Sequence, residues 1–302
     1  MIVLKKILLL LIAVLSAVSF LSCEGLGTIT PNPASSGNSP SSAIGSNGSD
    51  SFSVEIPSIG KADCIILNTK EHLIVIDLGI KDLAETIVTR ISSYGKEIDA
   101  LIISHYDKDH IGATKKLLGA VKVKSVYLPE YEDEKTENAE EVKGYLTKHA
   151  ITPTTVSEEI ALEYDGVSFT IYPTGIFFKR NDNGSNESSI VVSALHGENR
   201  FLFTGDAVDR RLPEILSQLP DPAAVDFLKV PHHGVYDDNS KAFFEAICPT
   251  YAVITCSAAE PADGSTVKLL NDLGAKVYLT SSGSVFAYSD GSSIRIEVKE
   301  ND

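Results

Sequence analysis

The chain has 302 residues, 26 Lys and Arg against 41 Asp and Glu, 43% hydrophobic residues and no Trp. A formal charge of −15 works against sequence-independent binding of polyanions, which leans on Lys and Arg to neutralise phosphates. The composition also excludes a collagen, a coiled coil and a wholly disordered chain, and the length is ample for the core of an enzyme.

In chain order, residues 1–22 carry the signature of a signal peptide. Lys5 and Lys6 precede an apolar run from Ile7 to Ala17 that is shorter than a membrane span, and Leu21-Ser22 lead to Cys23. The Leu-Ser-Cys ending is similar to the lipidation signal of bacterial lipoproteins. Residues 23–52, rich in Ser, Gly, Asn and Pro, have almost nothing to bury, which predicts a flexible tether between a lipidated Cys23 and a folded domain over 53–302.

From there, β-branched runs alternate with helical stretches. Strands are expected at Cys64 to Asn68, Leu73 to Leu78, Ala100 to Ser104 and Val123 to Leu128, with helices over about Lys81 to Ser93, from Gly112, and over Thr136 to His149. Strands then follow at Glu159 to Leu162, Val167 to Tyr172, Ser189 to Leu195 and Arg200 to Thr204. Alternation resumes through Phe227 to Val230, Lys241 to Ala246, Tyr251 to Thr255, Val267 to Leu273 and Lys276 to Leu279, and a hairpin of Val285 to Tyr288 with Ile294 to Val298 closes the chain. This pattern predicts an α/β fold of two packed sheets with helices outside.

The segment that carries chemistry runs from Ile102 to Gly112. After a buried strand, four residues out of six are His or Asp: His105, Asp107, Asp109 and His110. Each can coordinate a cation, and a loop between strand and helix mounts them rigidly. A helix cap would explain Asp109 alone. Two later strands repeat the design, one ending in Thr204-Gly205-Asp206 and one in Val230-Pro231-His232-His233-Gly234.

Together the HxDxDHxG run, the strand-TGD segment and Leu228-Lys229-Val230-Pro231-His232-His233-Gly234 resemble the metallo-β-lactamase fold. The resemblance is to the branch that includes the extracellular hydrolase-like domain of bacterial competence DNA-uptake channels, and phosphorylcholine esterases of bacterial surfaces are similar. Gly60-Lys61-Ala62-Asp63 with Val75-Ile76-Asp77-Leu78-Gly79 resembles that branch's opening hairpin, and Ser189-Ile190-Val191-Val192 its SLVL strand.

The resemblance implies a four-layer αββα sandwich of two mixed sheets and a pair of divalent metal ions, zinc ahead of manganese. His105 and Asp107 would hold one ion; Asp109, His110 and one of His232 or His233 the other; Asp206 would bridge both. Sequence does not separate the two adjacent histidines. His232 is taken as the ligand, which leaves His233 to hydrogen-bond the substrate or act as an acid, while Asp109 orients or receives the proton. Without metal, the carboxylates would crowd one pocket and at least one would take up a proton.

The implied function is an extracytoplasmic dinuclear metal-dependent hydrolase of phosphodiesters or related esters, working through a metal-bridging hydroxide and anchored to a bacterial membrane through Cys23. Its substrate would be a small anionic or ester compound, a nucleic acid or a wall polymer. The alternative is a surface-anchored binding module that retains the fold without catalysis. True β-lactam hydrolysis is disfavoured, because Asp107 stands where the lactamases proper have His and no His occupies the usual place between His110 and Asp206.

His149 and His196 are expected in solvent, so the first site is poor in ligands, with Asn186 placed to assist. Lys108, Arg210, Arg211 and Lys229 are expected at the surface, the two arginines drawing in an anionic substrate if they sit at the mouth. Val235 stands where the family often has Ser. Cys64, Cys248 and Cys256 are assigned to core packing, and Asn181-Asp182-Asn183-Gly184 to a turn.

Overall fold

A computed structural model describes residues 51–130, 136–175 and 184–300. The proposed signal peptide and nearly all of the tether lie outside the described residues, as do positions 181–183 of the expected turn.

The first half runs β1 (Phe52–Ile56), β2 (Ile65–Asn68), β3 (Leu73–Ile76), α1 (Ala84–Ser92), β4 (Ile98–Ile102), α2 (Lys108–Ile111), α3 (Thr114–Ala120), β5 (Val123–Pro129), α4 (Thr136–Lys148) and β6 (Thr154–Val156). The second half runs β7 (Ile160–Tyr164), β8 (Val167–Tyr172), α5 (Gly184–Glu187), β9 (Val191–His196), β10 (Asn199–Phe203), α6 (Arg211–Gln218), β11 (Phe227–Lys229), α7 (Ser240–Ile247), β12 (Tyr251–Ile254), α8 (Gly264–Asp272), β13 (Lys276–Leu279), β14 (Ser284–Ser289) and β15 (Ile294–Lys299). One sheet has the order β15-β14-β1-β2-β3-β4-β5-β6 and the other β13-β12-β11-β10-β9-β8-β7.

Three apolar layers hold these sheets, and strand periodicity assigns side chains to them. Ala100 and Ile102 of β4 face the inter-sheet core with Phe52, Phe169, Phe201, Phe203 and Phe227, while Leu101 faces the helices α1, α3 and α4. In the second sheet Leu202 of β10 turns the other way, toward α6 and α7. Phe52 meets Phe169 and Phe201 edge-on at 5.9 and 5.0 Å, tying β1 to the opposite sheet. The result is the expected αββα arrangement.

The buried strand ends at Ile102, two residues earlier than expected, and the helix expected from Gly112 starts at Lys108 and breaks into α2 and α3. Strands β1 and β6 and helices α5 and α6 were not anticipated, and Gly184, expected in a turn, opens α5. Arg211, expected at the surface, is fully buried in α6: its Nε donates to the Ser189 carbonyl at 2.9 Å and a terminal nitrogen to Glu214 at 2.6 Å. His196 is also buried, between the hydroxyls of Ser289 and Ser51 at 2.8 Å each, because the β9–β10 turn packs on the β14–β15 turn. His149 and Lys108 are exposed as expected. Cys64 and Cys256 are buried free thiols, in keeping with core packing, and burial pushes the Cys64 thiol up.

Candidate metal centre

Parallel strands deliver their following loops to one end of a sheet, where open α/β folds bind ligands. β3 and β4 pair in parallel, as do β10, β11 and β12. Asp77 follows β3, the run 105–110 follows β4, Asp206 follows β10, His233 follows β11 and Thr255 follows β12.

The 105–110 loop is fastened by backbone bonds. The His110 carbonyl accepts from Leu78 N–H at 2.6 Å, the Asp109 carbonyl from Asp63 N–H at 3.1 Å, and Gly112 N–H donates to the Gly79 carbonyl at 2.7 Å. A β-carbon on Gly112 would lie 2.2 Å from the backbone nitrogen of Lys81, so only glycine permits this approach.

Side chains from three segments then converge. Asp109, His110, Asp206 and His233 each offer a ligand atom, all within 4.8 Å of one another. Nε2 of His110 and Nε2 of His233 both lie 3.2 Å from Asp206 Oδ2, and His233 Nε2 is also 3.2 Å from Asp109 Oδ2. Asp109 is the member open to solvent, its side chain 31% exposed, and so marks the mouth.

Each histidine is oriented through its other nitrogen. Nδ1 of His110 donates to Asp77 Oδ2 at 2.7 Å. Nδ1 of His233 faces the carbonyl and hydroxyl of Thr255 at 3.2 and 2.9 Å. A carbonyl only accepts, so Nδ1 carries the proton and Nε2 is turned to the cluster. The Thr255 hydroxyl in turn donates to Asp63 Oδ1 at 2.7 Å. His105 Nδ1 is 3.0 Å from Ser104 Oγ, whose own proton goes to Asp77 Oδ2 at 2.6 Å. The His105 ring lies 4.1 Å from that of His110.

Neighbouring cations hold both cluster carboxylates, Asp109 and Asp206, low, so neither takes up the proton expected above. Burial alone would raise Asp206, but the charges of His233, His110 and Lys229 hold it well below the usual carboxylate range. Burial is likewise outweighed at Asp109, which the His233 hydrogen bond and the His110 charge bring down to about 2. Burial opposes charge on the imidazoles too, yet Asp206 and Asp77 raise His110, and Asp206 with Asp109 raises His233 to about 9. His105 falls to about 4 through burial and the His110 charge.

Lys229, expected in solvent, is the third internal cation. It is fully buried, bonded to Asp63 and to the Gly205 carbonyl at 3.1 Å, and 3.6 Å from Asp206 Oδ1. Partners at three sides offset its desolvation.

The structure therefore gathers His105, Asp109, His110, Asp206 and His233 at one place. Asp107 lies beside them, half-buried, where it accepts from the Ser185 hydroxyl. His232 is not in the four-residue group; its Nε2 faces Asn186 Nδ2 at 3.2 Å. Arg210 pairs with Glu187 at 3.6 Å. Asp63, Asp77, Ser104, Lys229 and Thr255 were given no role from sequence, although a carboxylate closing an apolar strand, as in Ile74-Val75-Ile76-Asp77, is the same signal that marked Asp206.

The residues fit a divalent cation. His105 Nε2 and Asp206 Oδ1 are buried with no hydrogen-bond partner among the described residues, a cost that a bound ion would remove. The donor set of imidazole nitrogens and carboxylate oxygens suits zinc and manganese alike.

Comparison with known proteins agrees with this geometry. A profile of the metallo-β-lactamase superfamily matches residues 59–256. The chain is 30% identical over 166 residues to ComE operon protein 3 of Bacillus subtilis (strain 168), covering 53% of this chain and 20% of that protein. It is 24% identical over 204 residues to competence protein ComA of Neisseria gonorrhoeae, covering 66% and 26%. The chain thus spans about a quarter or less of the length of these relatives. It superposes on the metallo-β-lactamase fold protein YhfI from Bacillus subtilis with a TM-score of 0.52 at 13% identity, covering 82% of this chain and 99% of that one. With a match that takes in every residue of the cluster, the chain belongs to the metallo-β-lactamase superfamily.

Proposed function

We propose that the protein is an extracytoplasmic, dinuclear metal-dependent hydrolase of phosphodiesters or related esters. The observation that carries this reading is the convergence of Asp109, His110, Asp206 and His233 within 4.8 Å, with His105 against His110. Asp109, His110, Asp206 and His233 would hold one ion, and His105 with Asp107 the second, with Asp206 shared. When bound, such ions supply Lewis acidity and an activated water at neutral pH.

The protein's own groups would do the rest. Asp77 and the Thr255–Asp63 pair keep Nε2 of His110 and His233 aimed inward, and Lys229 keeps Asp206 ionised. Asp109, open to the mouth, would orient the attacking water or receive its proton. The basic and apolar N-terminus ending at Cys23 supports export and lipid anchoring, and the acidic surface favours a small ester over a long polyanion.

Metal-loaded protein is expected to turn over bis-p-nitrophenyl phosphate, with Asp109→Ala and Asp206→Ala each lowering kcat/KM about 10²-fold or more. Turnover that survives exhaustive chelation, or either substitution, overturns the reading in favour of contamination or a binding module.

A further inference from the structure

His232 and His233 are adjacent, yet their imidazoles serve different partners. His232, His233 and Gly234 have φ values of 46°, 53° and 78°, three left-handed residues in succession. Side chains with a β-carbon resist that conformation, and such strain persists where the surroundings fix it for a purpose. Here it separates the two ring centroids by 6.3 Å. His233 joins the cluster, while His232 meets Asn186.

Asn186 belongs to a segment that flanks the cluster. Its neighbour Ser185 donates to Asp107, and Ser189 accepts from the Asp206 backbone N–H at 3.1 Å. With Asn186 Nδ2 donating to His232 Nε2, the His232 proton sits on Nδ1. That nitrogen and Asn186 Oδ1 are both buried with no hydrogen-bond partner among the described residues. The bonded pair thus keeps an unused buried donor, His232 Nδ1–H, an arrangement that costs stability unless an acceptor on a ligand completes it. Lys61, on the loop whose Asp63 N–H bonds the Asp109 carbonyl, stands near enough for its charge to oppose protonation of His232.

We propose that His232, held by Asn186 in the tautomer that leaves Nδ1–H free, donates that proton to an anionic oxygen of a phosphoester next to the metal cluster, with Asn186 as its positioning residue, and that His232 is not a metal ligand. The proposal rests on the hydrolase reading above for its substrate and on separate geometry for its residues.

The test uses the zinc-loaded protein, with inorganic phosphate as the probe. His232→Asn keeps a residue that tolerates the left-handed backbone, and Asn186→Ala removes the partner without touching that backbone. Both variants are expected to retain wild-type metal content and to weaken phosphate binding in titration calorimetry about fivefold or more. Both should also raise KM for bis-p-nitrophenyl phosphate more than they lower kcat, with the double variant no worse than the stronger single one. His233→Ala, by contrast, loses metal. Loss of metal from His232→Asn, phosphate affinity unchanged in both variants, or no phosphate binding by the wild type overturns the pair. Wild-type protein that binds phosphate through the pair but hydrolyses no ester removes the hydrolase reading and leaves the pair standing.

Discussion

Asp77 and Thr255 decide which nitrogen of His110 and His233 reaches the cluster, and the carboxylates around them decide how firmly those nitrogens hold a proton. Both imidazoles bind protons more tightly than usual in the metal-free protein, His233 up to about 9. A cation must displace both, so metal affinity is expected to rise with pH through and beyond neutrality. At pH 7.5, binding should release protons from these imidazoles, measurable by calorimetry in buffers of different ionisation enthalpy. In the metal-free state the sign for stability is the reverse. The raised His233 contributes fully below its unfolded value of about 6.5 and fades as pH climbs through about 9. The depressed Asp109 contributes above about 3.9 and is lost as pH falls through about 2. At this scale the sequence was legible where polar residues cluster against an apolar background, as at 105–110 and Asp206. It did not show which of two neighbouring histidines turns inward, because that depends on a left-handed backbone at both. Nor did it show that Lys229 is internal, since its partners Asp63 and Asp206 are remote along the chain.

Among elements, the short helix α2 is held by the approach of Gly112 to the turn after β3. Gly112→Ala would drive a β-carbon into the backbone of Ile80 and Lys81. It is expected to cost about 3 kcal/mol, a fall in Tm of about 6–12 °C, and to weaken metal binding by shifting Asp109 and His110. Gly119→Ala in α3, where a β-carbon meets nothing within 4 Å, is the control and should be neutral or stabilising. Thermal melts of the two variants side by side check the contrast. The elements that sequence reading missed have physical reasons. β6 has three residues at a sheet edge, two of them exposed, so it shows no apolar period. β1 emerges directly from the polar tether. α6 opens with Arg210-Arg211, and nothing local reveals that Arg211 turns inward to serve Ser189 and Glu214. The meander β7 to β10 and the closing hairpin were legible because alternation and turn residues coincide there.

For the molecule as a whole, the cluster joins loops from both sheets: Asp109 and His110 follow β4, whereas Asp206 and His233 follow β10 and β11. An ion held there by the native state alone stabilises the entire sandwich. At free metal about 100-fold above Kd the gain is about 2.7 kcal/mol, so chelation is expected to lower Tm by about 5–10 °C, read by differential scanning calorimetry. A Tm indifferent to chelator would show that the internal cations His110, His233 and Lys229 alone balance the carboxylates.

The placement of β1 between β2 and β14, with Phe52 opposite Ser289, sets an order of events during synthesis. Phe52 leaves the ribosome before any strand of the second sheet, but β14, which completes its ladder, follows all of them. Until then β1 offers a bare row of amides and carbonyls on one flank, and the inter-sheet core lacks Val285 and Ala287. Closure of the first sheet therefore waits until the whole second sheet has been made, and β1 stays open on that flank throughout the synthesis of the intervening chain.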